Sequence, residues 1–337
     1  MKALCSKFCI AISIVFSLLF SSAAWGQANS SSRMVAAKGK SGPAVTQANQ
    51  KDPRLANAYR FEEGGWVYLH LEGSPANVGY QHGYLLAPEI DDAFNAIKFQ
   101  DTHRTQKSWD FFRKTAHEIL WPKIDAEYQQ ELRGIAEGLK ARGVQMDVDD
   151  VVALNAFEEV PDYYLPWLNK REHALNAPPL KSPGNCSAFV ATGSYTKDGK
   201  VVIAHNNWTS YLAGERWRII FDIAPEKGSR ILMDGFPGVI TSDDDFGVNS
   251  NGIMITETTI TQFEGFDPDG KPEFVRSRKA LQYANSIDDY VRIMLEGNNG
   301  GYANDWLLAD RKTGEIAQFE LGLKHSRIWK TKDGYFV

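Results

Sequence analysis

Apolar residues recur at helical spacing through the first half of the chain and give way to short strand-like runs in the second. Ser74-Pro75 has the form of an N-cap followed by proline at the first helical position. From Val78 through Leu86 to Ile90, Phe94 and Ile97 the apolar positions then keep a helical period. The same reasoning predicts helices over 109–120 and 124–142, and one from Asp147 to Val160 whose opening acids suit a helix N-terminus. Gly79 and Gly83 read as a face for close helix packing rather than as substrate contacts. Residues 170–185 are polar, proline-rich and without period, so they are expected as an exposed loop. Beyond the loop, strands are expected at 188–194, 201–205, 216–223, 230–233, 238–241 and 253–258. A helix over 272–295 follows, then strands at 306–309, 316–321, 326–329 and 335–337. Helices, strands, a helix and more strands predict an α+β layered domain, not a series of βαβ units.

The ends of the chain change its setting. Lys2 and Lys7 precede an apolar run from Phe8 to Phe20, and small residues close at Ala24-Trp25-Gly26. This is the pattern of a secretion signal, expected to be cut after Gly26 or, as second choice, after Ala24. The run is too short to span a bilayer. The expected location is secreted or periplasmic, with no integral membrane segment after signal removal. Residues 27–54 are small, polar and free of aromatics, and read as a disordered lead-in. One domain is then expected: a helical part, 55–185, ending in a processing loop, and a β-rich catalytic part, 186–337. Ending on the strand-like Tyr335-Phe336-Val337 without a cap, the chain reads as truncated at the C-terminus. Removing Lys2 and Lys7 takes the formal charge from −5 to −7, which argues against a nucleic-acid partner.

Of the 3 cysteines, Cys5 and Cys9 lie in the leader, so Cys186 stands alone in the exported chain. Exported proteins use cysteines in pairs. A single thiol makes no internal bridge and oxidises when exposed. It is either a small buried hydrophobe or retained for its reactivity. Its position bears on the choice: a loop ending Gly184-Asn185 abuts Cys186-Ser187 and a strand. That arrangement suggests a chain that cuts itself before its own nucleophile. The thiol attacks the preceding carbonyl, the peptide C–N bond breaks to free an α-amine on the same residue, and hydrolysis of the resulting thioester frees the thiol. With a pKa near ~7.7–8.0, that amine serves as base for its own thiol.

Gly184-Asn185-Cys186-Ser187-Ala188-Phe189, Lys197-Asp198-Gly199 and the run His205-Asn206-Asn207-Trp208-Thr209-Ser210-Tyr211 resemble the phospholipase B-like proteins. They are also similar to the C45 peptidase group, which includes penicillin acyltransferase-like enzymes. Further support comes from Gly79-Tyr80-Gln81-His82-Gly83, Pro237-Gly238 with Ser242 to Phe246, Thr256-Glu257-Thr258-Thr259, and Asn298 to Trp306. The resemblance implies a four-layer αββα sandwich of the N-terminal-nucleophile hydrolase type. It implies cleavage between Asn185 and Cys186, leaving two chains of the same precursor associated, and an acyl-enzyme on Cys186. His205 falls where bile-salt and penicillin V hydrolases carry an Arg, with an Asp three residues later; here that second position is Trp208. The acid is then sought in Asp243, Asp244 or Asp245, with Trp208, Asp244 and Asp245 expected at the substrate. Asn304 is expected as an oxyanion donor. Each has a structural alternative: a solvated turn for the acids, a satisfied strand-end histidine for His205, a turn cap for Asn304.

The implied substrate is a small-molecule acyl ester or amide, a lipid among them. Acyl transfer of the penicillin acyltransferase type and a catalytically silent lipid-binding homologue remain as alternatives. A papain-like pairing of Cys186 with His325 lacks the flanking motif that such proteases carry. No cofactor is implied. No metal is expected either, because His70, His82 and His103 show no ligand spacing.

Overall fold

Alternating burial before the first helix builds one end of the largest sheet. In the computed structural model, which describes residues 46–47, 52–172, 186–243 and 246–337, β1 (Thr46–Gln47) pairs with β2 (Tyr59–Glu63), and β2 with β3 (Trp66–Gly73). Val67, Leu69 and Leu71 of β3 are buried on one face. The expectation of a helical first half missed this hairpin, because β3's period-2 run leads straight into the helical pattern after Ser74. The lead-in is also ordered in places: Thr46–Gln47 is paired, and Asp52 caps a helical turn at Pro53–Leu55 that buries Leu55. The proposed signal, residues 1–26, lies outside the described residues.

Helices α1 (Pro75–Leu85) and α2 (Ala87–Thr105) follow. Ser74 caps α1 as expected, accepting the Asn77 N–H. α3 (Trp109–Thr115) runs into a π-type turn at Ala116–Leu120, and α4 (Ala126–Ala141) lies within the expected span. Asp147 caps α5 (Val148–Asn155) in a reciprocal box with Asp150. Helical structure resumes at Val160–Tyr164 and in α6 (Leu165–Arg171), so the expected loop begins later than the sequence suggested. Residues 173–185 lie outside the described residues.

The second half gives β4 (Ser187–Gly193), β5 (Gly199–Asn206), the short α7 (Tyr211–Gly214), β6 (Ile219–Pro225), β7 (Ile231–Gly235), β8 (Gly247–Asn249) and β9 (Ile253–Thr259). Next come α8 (Glu273–Tyr283) and α9 (Ile287–Leu295), where one helix was expected. The chain breaks there because Ser286 caps α9, accepting the Asp289 N–H. β10 (Asn304–Asp310), β11 (Glu315–Leu321), β12 (Ser326–Thr331) and β13 (Gly334–Phe336) complete the order. The strand expected at 238–241 is a loop, since its backbone groups bond to distant side chains instead of a neighbouring strand.

Among the described residues, a ten-stranded sheet runs β1-β2-β3-β6-β7-β8-β9-β10-β11-β12 and a three-stranded one β13-β4-β5. Pairing is antiparallel except between β3 and β6. A single row crosses seven strands of the large sheet: Leu69, Phe221, Met233, Gly247, Ile255, Leu308 and Ala317, all buried. Helices cover that face. The small sheet lies on the other, where Ala188 and Val190 meet Leu307, Ala309 and Ile316. The α+β class and the helix–sheet–sheet order match expectation. The fourth layer is not among the described residues; Phe189, Val202 and Tyr335 of the small sheet are exposed.

α1 and α4 cross backbone to backbone. A Cβ added to Gly79 would sit 1.9 Å from the Glu131 carbonyl oxygen, and one on Gly83 2.1 Å from that of Ile135. A Cβ on Gly134 or Gly138 would likewise meet α1 backbone, at 2.4 and 2.3 Å. Close packing is therefore the role of Gly79 and Gly83. Because the obstructing atoms are helix backbone, they cannot rotate away, and Gly79→Ala should destabilise by at least the ~1–3 kcal/mol typical of overpacking. Thermal melting checks this: a variant melting at or above the parent temperature contradicts the crossing.

Candidate active site

The thiol of Cys186 comes to lie beside a histidine and a glutamate through two different sheets. Cys186 immediately precedes β4. Its neighbour β5 carries His205, paired with Ala188, and β9 of the large sheet carries Glu257. One ligand atom from each of the three side chains lies within 4.8 Å of the others. His205 Nε2 stands 3.8 Å from Glu257 Oε1, which also accepts the Tyr302 hydroxyl at 3.3 Å. Glu257 is wholly buried and Cys186 half-buried. Glu158, Asn207, Trp208, Thr209, Trp217, Asp243, Thr259 and Tyr302 line the small pocket at Cys186.

Burial pushes the His205 pKa down to about 4, against a hydrogen bond with the Glu257 backbone that pulls it up. The imidazole is therefore neutral near pH 7 and a weak base. It can orient a partner but is poorly matched to take the thiol's proton.

Asp243 reaches the pocket on a loop clamped from the helices. The Gly238 N–H donates to His82 Nε2 at 3.1 Å. Asn155 Nδ2 donates to the Gly238 carbonyl at 2.8 Å, and Asn155 Oδ1 accepts the Ile240 N–H at 2.9 Å. Burial, with the Arg278 charge behind it, lowers the His82 pKa to about 3, so the ring stays neutral and can accept. Asp243 itself has φ +57°, a conformation uncommon for a non-glycine residue.

Asn304 opens β10, paired with Thr259 of the pocket wall and with Leu321. It is fully buried, and among the described residues neither its Nδ2 nor its Oδ1 has a hydrogen-bond partner. Among the described residues this side chain makes no bond to the backbone of the kind a turn cap makes. An unpaired buried amide costs ~1–3 kcal/mol, which calls for a reason other than stability.

Glu158 belongs to a cluster of three carboxyls, with Asp101 and Asp162, around the Arg104 guanidinium. Arg104 grips Asp162 with both terminal nitrogens, at 2.5 and 3.0 Å, and stands 3.7 Å from Asp101. Burial first, and the neighbouring acids next, push Glu158 up to about 8. Burial, opposed by Arg104, takes Asp101 to about 7. Burial thus holds the Glu158 carboxyl, in the lining of the Cys186 pocket, toward its neutral form.

Of the residues expected from sequence, the structure brings together Cys186, His205, Trp208 and Asp243, and sets Asn304 across from the pocket-lining Thr259. Trp208 is 64% exposed, at the rim. Asn185, Asp244 and Asp245 lie outside the described residues. His325 is exposed in the β11–β12 turn. His70 bonds Asp222 at 2.8 Å, and His103 stacks on Phe99. Sequence reasoning gave no role to Glu257, Tyr302 or Glu158. Glu257 interrupts a β-branched run and Tyr302 a glycine-rich turn, both quoted above only for their resemblance; Glu158 carries no local signal. Asn207, Thr209 and Trp217 also line an adjoining groove of about 470 Å³ with Trp66, Ile203, His205, Asp234, Phe246 and Thr256.

The family model described as phospholipase B matches residues 49–326. An uncharacterized protein of Archaeoglobus fulgidus is 25% identical over 80% of this chain and 45% of its own. Phospholipase B-like 1 of Bos taurus is 25% identical over 77% of this chain and 55% of its own. The chain thus spans about half the length of these relatives. A solved penicillin V acylase from Agrobacterium tumefaciens is similar over 45% of this chain and 44% of its own, at 11% identity. Its TM-score is 0.25.

The cluster predicts a pH dependence of stability. The folded protein keeps the Asp101 proton up to about pH 7, whereas the unfolded chain releases it near ~3.9. The native state therefore loses stability as pH rises through that window. Asp101→Asn abolishes the titration, so its melting temperature relative to the parent should climb between roughly pH 4 and pH 7. A difference independent of pH contradicts the assignment.

Proposed function

The chain belongs to the phospholipase B family, and we propose that it is an exported, self-processing cysteine hydrolase that cleaves an acyl ester or amide through an acyl-enzyme on Cys186. The observation that carries this reading is the half-buried Cys186 thiol, set against His205 and Glu257 with a histidine too weakly basic to activate it. The base must come from elsewhere, and the α-amine freed by cleavage after Asn185 supplies it on the same residue.

The thiol adds to the Asn185 carbonyl, the peptide C–N bond breaks, and the Cys186 nitrogen leaves as an amine. Water then hydrolyses the thioester and frees the sulfur. In turnover the amine takes the thiol proton as sulfur attacks the acyl carbonyl, and hands it to the departing alcohol or amine. A water, deprotonated by the same amine, releases the acid. Asn304 Nδ2 donates to the oxyanion in both halves, an interaction that would give its unpaired amide a purpose. The aromatic walls of the adjoining groove, Trp66, Trp217 and Phe246, suit an acyl chain, with Trp208 at the mouth. Asp244 and Asp245, next to Asp243, remain the substrate-side acids of this reading.

Two substitutions test it. Cys186→Ala should abolish acyl-ester hydrolysis while leaving the melting temperature near the parent's; full activity in that variant places the chemistry elsewhere. Asn304→Ala should lower kcat on the order of 10²–10³-fold with KM little changed. An unchanged kcat removes Asn304 from the oxyanion site.

A further inference from the structure

We propose that Cys186, His205 and Glu257 form a three-ligand site for a thiophilic divalent cation, Zn²⁺ foremost, and that the bound ion silences the nucleophile. Thiolate, imidazole and carboxylate are the three donor types that zinc takes in proteins. Metal–ligand bonds of about 2.0–2.3 Å in a tetrahedron place neighbouring donor atoms roughly 3.3–3.6 Å apart. His205 Nε2 and Glu257 Oε1 already stand 3.8 Å apart, and all three donors lie within 4.8 Å of one another. Side-chain rotations that draw the donors in by about 1 Å would complete the spacing.

The surroundings also suit an ion. The Tyr302 hydroxyl on Glu257 Oε1 and the bond from the His205 ring to the Glu257 backbone orient two of the ligands from behind. Cys186 is half-buried in a pocket, which leaves an entry path. Binding replaces the thiol hydrogen: the S–H bond breaks, a sulfur–metal bond forms, and the proton leaves to solvent. The sulfur lone pair that would attack an acyl carbonyl is then committed to the ion. Three protein ligands leave the fourth position to water, so the site is closable and reversible. Hard cations such as Mg²⁺ and Ca²⁺ prefer oxygen and should not compete.

The binding stands on geometry alone; the silencing rests on Cys186 being the nucleophile. Co²⁺ titrated into chelator-treated protein should give a thiolate-to-cobalt absorption band saturating at one equivalent. The band should vanish in Cys186→Ala and Cys186→Ser. Affinity should fall at least 10-fold in His205→Ala and Glu257→Gln, and His117→Ala, at an exposed position, should keep it. A parent protein without the band, or a band that survives loss of the thiol, overturns the site. Zn²⁺ should then suppress acyl-ester hydrolysis, with a chelator restoring it, at the concentration where zinc displaces cobalt. Zinc that binds without suppressing hydrolysis, or that stimulates it, overturns the silencing. If the parent protein shows no hydrolysis, the proposed function fails and the cobalt titration alone decides the site.

Discussion

The packing of the small sheet on the large one is the contact on which the site depends. Cys186 leads into β4 and His205 lies on β5 of the small sheet, while Glu257 belongs to the large one, so their separation is set by how Ala188 and Val190 seat against Leu307, Ala309 and Ile316. Side chains alternate faces along a strand, so a one-residue slip of β4 would turn Ala188 and Val190 outward and move Cys186 away from its partners. An apolar interface, non-directional in itself, fixes a polar constellation because register leaves it one arrangement.

The helices determine the rest of the pocket. The glycine faces bring α1 onto α4 at backbone distance, which fixes α1 along its length. His82 lies between the two glycines of α1 and holds the loop at Gly238, with Asn155 of α5 holding it from the other side. That loop then delivers Asp243. A packing device far from the thiol thus determines where an acid can stand near it, and the buried histidine serves as an acceptor because burial keeps it neutral.

What the sequence disclosed was what local chemistry determines. Ser74 before Pro75, and Asp147 with Asp150, announce helix starts because the bonds they make are three residues long. The strands after Cys186 were legible from period and turn residues, and Cys186 from its solitude. The β2–β3 hairpin was hidden because Val67, Leu69 and Leu71 run directly into the next helix. Gly238 to Thr241 reads as a strand, yet its hydrogen bonds go to residues of two distant helices, which no local pattern records. Glu257 and Tyr302 stood in stretches that supported the family resemblance, but their nearness to Cys186 is a property of sheet packing. Asn304 was named by resemblance; its burial without a partner among the described residues became visible only in the fold.

On this mechanism the polypeptide ends one chain and begins another at Cys186. Intact-mass measurement of the purified natural protein under denaturing, reducing conditions, with N-terminal sequencing of each species, tests it most directly. Self-processing predicts two chains held together in the native state, the second beginning Cys186-Ser187-Ala188, and one uncleaved chain when Cys186 is replaced by alanine. Active protein that stays a single chain through Asn185-Cys186 would contradict it.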